Sequence, residues 1–71
     1  MTDDKEYDAI ARRVIDGATL KDVKDTAIIA AITVQGSGVY ARAARIFLKV
    51  AAEVWPDDDM LAALDREAEN G

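Results

Sequence analysis

The chain has 71 residues, no cysteine, no histidine, 51% hydrophobic residues and a net charge of −5. That length allows one small domain whose own core supplies roughly 3–5 kcal/mol, and the composition excludes disulfide stapling and any site built on thiolate or imidazole. The acid excess disfavours general binding to phosphate backbones or anionic membranes.

Tyr7, Ile10, Ala11 and Val14 recur at helical spacing and Gly17 follows as a stop, so a first amphipathic helix is expected over about 3–16. Asp3, Asp4 and Glu6 suit its positive N-terminal end. Thr19 offers an N-cap oxygen with Asp22 three residues on, which places a second helix over about 20–34. Its stretch Thr26 to Val34 is apolar on nearly every side, as in a helix buried at the centre of a fold or dimer. The β-branched residues there leave a short buried strand as the alternative.

Gln35-Gly36-Ser37-Gly38 reads as a turn between the two central helices. Tyr40, Ala43, Ala44, Phe47, Val50, Ala51 and Val54 then keep i, i+3, i+4 spacing, giving a third helix over about 39–55. Pro56 stops it, and Asp57 can cap a last helix over about 58–68 that carries Met60, Leu61 and Leu64. The end, Glu67 to Gly71, is expected to fray. The expected fold is therefore all-α, a small bundle of three to four helices in a single interaction domain spanning 1–71.

Many of the apolar residues are alanines, each burying little area alone. A second subunit would add buried area without new residues, and a homodimer is expected. Met1 to Glu6 lacks the basic start and apolar run of a signal peptide, and no apolar stretch approaches the roughly 20 residues of a membrane span. A cytoplasmic location and no membrane partner are expected.

No catalytic, metal or cofactor frame is present. Asp57-Asp58-Asp59 lacks the alternating ligands and closing Glu of a calcium loop, and is better read as helix capping or as an acidic patch for a basic partner. Gln35 to Gly38 matches neither a P-loop nor a dinucleotide-binding turn. Acid–base chemistry would rest on carboxylates, Lys or Tyr, and the carboxylates cluster at helix starts and in the tail. Binding without catalysis is the expectation.

Charge is unevenly spread. Residues 39–55 carry Arg42, Arg45 and Lys49 against Glu53, whereas residues 56–71 carry six acids against Arg66. Arg42, Arg45 and Lys49 fall at i, i+3 and i+7, a stripe that could be a solvated face or could meet nucleic acid or an acidic protein surface. Tyr40 and Trp55 stand near either end of that helix and are core or interface anchors.

From Thr19 to Phe47 the chain resembles Fis-type helix-turn-helix segments, the match being carried by Gly36-Ser37-Gly38 and Ala43-Ala44-Arg45. The resemblance implies a DNA-binding regulator in which Arg42, Arg45 and Lys49 meet phosphates. Where that family breaks before a basic recognition helix, this chain continues Leu48 to Trp55 as one helix and is acidic after Pro56. In size, charge and helix content it also resembles the small proteins by which temperate phages silence host proteins, anti-activators of transcription regulators among them. The resulting expectation is a protein-binding module that regulates by occupancy, with partner contacts at Tyr40, Arg42, Arg45, Lys49 and Trp55 and at Asp57, Asp58 and Asp59. A Fis-type DNA-binding regulator is the alternative, although nucleic acid is not the expected partner.

Overall fold

The computed structural model describes residues 4–70, and over them the chain is all-helical. Four helices follow in order: α1 (Asp4–Asp16), α2 (Leu20–Thr33), α3 (Val39–Val54) and α4 (Asp59–Asn70). Asp3 and Gly71, expected in the first helix and the frayed end, lie outside the described residues. The stretch 26–33 is helix, not the alternative strand.

α3 is the centre, and it packs against all three other helices. It buries Ala44, Leu48 and Ala51 along one stripe and Ile46 and Val50 on the neighbouring one, so apolar positions line more than one side. The other helices lay single narrow stripes on it. α1 contributes Ala11 and Ile15, with Tyr7 packed one turn earlier. α2 contributes Val23, Ala27 and Ala30, and α4 contributes Leu61 and Ala68. Six of the twelve buried residues are alanine, which lets the helices approach closely but leaves little apolar area per helix.

Two expectations about burial are corrected. Of the two places expected for α2, the buried centre of the single chain is excluded, since Ile28, Ile29 and Ile32 are 50–70% exposed in it. The inward stripe of α2 runs through Val23, Ala27 and Ala30, with Leu20 packed against the core at its start, and the isoleucines occupy the other sides. In α1 the buried stripe is Tyr7, Ala11 and Ile15, one residue round from the expected one, and Ile10 and Val14 are more than half exposed.

Local chemistry sets the helix ends. Thr19, in extended conformation, accepts a hydrogen bond from the Asp22 amide at 3.2 Å. α2 closes through the amides of Val34, Gln35 and Gly36, which donate to the carbonyls of Ala30, Ile32 and Thr33. Val34 to Gly38 connects α2 to α3, and Gly38 has φ 84°, a backbone region that L side chains seldom adopt. Trp55 leaves the helical region before Pro56, ending α3. The cap of α4 is Asp58, not Asp57: its Oδ1 accepts from the Leu61 amide at 3.0 Å. α4 then continues through Asn70 where fraying was expected, with Ala68 buried on its inner side.

Candidate functional site

The residues singled out in the sequence do not form one site. Tyr40, in the first turn of α3, is 79% exposed. Trp55, at the far end of that helix, is half-buried and packs against the core. Tyr40 is a surface group and Trp55 largely a structural one.

Arg42, Arg45 and Lys49 are exposed on one side of α3, and acids hem them in. The Arg42 Nε lies 3.9 Å from the Asp4 carboxylate. Arg45 and Lys49 share a cleft of about 260 Å³ with Asp4 and Asp8 of α1 and Asp65 and Glu69 of α4. The basic stripe thus faces carboxylates of α1 and α4, but among the described residues only Arg42 of the three has an ion-pair partner. In this cleft burial pushes the Asp65 carboxyl above the usual aspartate range; Glu69 and Glu53 add to the rise and Lys49 opposes it. One Asp65 oxygen, Oδ1, is buried without a hydrogen-bond partner.

Two further ion pairs tie helices together. Arg12 of α1 donates from Nε to Asp8 and from a terminal nitrogen to Glu53 of α3, both at 2.6 Å. Hydrogen bonds to Asp8 and then Glu53 raise the pKa of its guanidinium. Lys24 of α2 reaches Asp58 Oδ2 at 3.2 Å. The amide of Leu61 holds the Asp58 carboxyl below the usual range, with Lys24 assisting against partial desolvation. Asp58 is therefore engaged inside the fold.

Asp57 and Asp59 flank it and are exposed, as are Glu67 and Glu69 on α4. Asp57, Asp59 and Glu67 have no ion-pair partner among the described residues. The exposed Asp16, Asp22 and Asp25 likewise have no ion-pair partner among the described residues, so unpaired acids occur around α1 and α2 as well as around α4.

A second surface was not singled out in the sequence. α1, α2 and α3 together form an open groove of about 310 Å³ whose walls are almost wholly apolar. Tyr7, Ile10 and Val14 line it from α1, Ile29 from α2 and Phe47 from α3. Helical periodicity marked most of these residues as core, and it cannot tell a helix's inner stripe from its neighbour. The available signal was quantitative: four of the six isoleucines stay outside, at positions 10, 28, 29 and 32, because the alanine stripes take the interior.

No group of three or more metal-binding side chains occurs among the described residues. No helix among them is long and apolar enough to cross a membrane. No family model matches the chain, and neither a curated protein nor a solved structure matches it.

Proposed function

We propose that the chain is a homodimeric protein-binding module that regulates or inhibits a partner by occupying its surface, without catalysis. The partner best suited to it is a transcription regulator whose basic DNA-binding surface the module covers, as an anti-activator does. The observation that supports this reading is the acid-rich stretch 56–71, six acids against Arg66, in which Asp57, Asp59 and Glu67 are exposed and without an ion-pair partner among the described residues. Such a stretch steers a basic surface toward the molecule and competes with DNA phosphates for it.

Capture from a nuclease-treated lysate, with Asp57→Asn, Asp59→Asn, Glu67→Gln as the comparison, tests the reading. A DNA-binding protein retained by the wild type, retained poorly by the triple variant and displaced from its DNA by the wild type supports it. Retention of nucleic acid alone from an untreated lysate would replace it with the Fis-type reading, in which duplex binding weakens steeply with salt.

A further inference from the structure

We infer that α1 is a hinged strap, which opens from α3 as a unit about residues 17–19 while α2, α3 and α4 stay together as the stable body of the fold.

The packing is asymmetric. α2, α3 and α4 each pack against the other two and so close a triangle. Lys24 and Asp58, 3.2 Å apart, fasten its α2–α4 side. Val23, Leu48 and Leu61, one from each helix, are wholly buried. α1 lies outside this triangle. Among the described residues it packs extensively against α3 alone, and a cleft borders it on either flank, the apolar groove toward α2 and the charged cleft toward α4. Across the charged cleft Asp4 and Asp8 face Asp65 and Glu69, with Arg45 and Lys49 of α3 among them. The acids of α1 therefore find opposite charge on α3 and like charge on α4.

The attachment of α1 is correspondingly slight. It buries Ala11 and Ile15, with Tyr7 partly covered, and leaves Ile10 and Val14 more than half exposed. Arg12 donates to Glu53, and Asp4 lies 3.9 Å from Arg42, so ion pairs near both ends of α1 set it parallel to α3. Both pairs are exposed to water, where such contacts contribute little. With 13 residues α1 is also at the length where an isolated helix is marginal in water, so it melts once it leaves α3. α2 does not depend on it for its start, because Thr19 itself accepts from the Asp22 amide. An element held on one side only is the kind that opens locally, below the free energy of global unfolding.

Native-state hydrogen exchange tests the inference. The amides of Ala11 to Ile15, well inside α1, are expected to be at least about tenfold less protected than those of Leu48 to Ala51 and to respond only weakly to low denaturant, as a small opening does. Arg12→Gln is expected to lower the protection of α1 by up to about fivefold. Equal protection in α1 and α3, with the same denaturant dependence, overturns the proposal, because the four helices then open only together.

Ile15→Ala gives a second reading. Ile15 is the large side chain that α1 buries, and its truncation is expected to release the strap, abolishing protection over Asp4–Asp16 and retaining it in α2, α3 and α4. Trypsin should then cut first after Arg12 and Arg13, ahead of Lys24, Arg45 and Lys49. A variant that loses protection in all four helices at once, or is cut first within α2 or α3, overturns the proposal even if it no longer folds, since the three remaining helices are then not a body that survives the loss of α1.

Discussion

Lys24 and Asp58 meet 3.2 Å apart, joining the second helix to the cap of the fourth. Asp58 uses its other oxygen to accept from the Leu61 amide, so one carboxylate both starts α4 and fastens it to α2. Asp58→Ala is therefore expected to lower the Tm by about 4–8 °C at neutral pH. Asp57→Ala, removing an exposed and unpaired carboxylate, should leave it nearly unchanged. Thermal melts of the two variants check this.

The same carboxyl sets a pH dependence. Its pKa is held below the unfolded value, so its stabilising effect is complete above the ordinary aspartate range and is lost as pH falls through the folded value. The Tm deficit of Asp58→Ala should shrink as pH drops below about 4. Asp65 runs the other way. Its pKa is raised in the fold, so the charged form costs stability above the folded value and protonation relieves that cost on acidification. Asp65→Asn is expected to raise the Tm at pH 7 and to lose that advantage near pH 4. A variant less stable than wild type at pH 7 would contradict this account of the cleft.

Leu48 and Leu61 are fully buried, on α3 and α4. Replacing either with Ala should cost about 2–5 kcal/mol. Against the roughly 3–5 kcal/mol that a core of this size supplies, Leu48→Ala should be largely unfolded at 37 °C. Far-UV circular dichroism reads this directly.

Gly38 and Gly17 should respond oppositely to alanine. At φ 84°, Gly38→Ala places a side chain in a left-handed backbone conformation and is expected to cost about 1–2 kcal/mol. A Cβ on Gly17 would meet nothing closer than 3.9 Å, so Gly17→Ala should be neutral or stabilising by up to about 1 kcal/mol. Denaturant titration of both variants separates the cases.

Tyr40→Ala should leave stability within about 0.5 kcal/mol of wild type, because its ring is exposed. Trp55→Ala should be clearly destabilising, because its ring packs on the core. Only Tyr40 is then a clean probe of partner binding, and the two melts show whether this division holds.

The all-helical architecture was legible in the sequence because its determinants are local. Thr19 caps, Pro56 stops, and apolar residues recur at helical spacing. The inward sides were less legible. Periodicity placed Ile10 and Val14 on the same apolar side as Ala11, yet Ala11 turns inward with Ile15 while Ile10 and Val14 stay outside. Which of two adjacent stripes is buried depends on how closely the neighbouring helix approaches, a tertiary property. The acids that face the basic stripe were hidden for the same reason, since Asp4 and Asp65 lie far from Arg42 and Lys49 in sequence and come near them only through packing. Asp58 could not be separated from Asp57 as the cap, because three consecutive aspartates offer the same chemistry and the choice follows from where Pro56 lets the chain turn.

Residues 26–33, uncharged and rich in β-branched side chains, are held helical by the Thr19 cap and by packing on α3. Once melted, that same stretch has the composition of a cross-β segment, with no proline and no charge to interrupt stacking. Heating should therefore end in precipitation, with losses that grow with protein concentration and a scan-rate-dependent apparent midpoint. The isoleucines that stand exposed on the folded chain would then set its shelf life in solution.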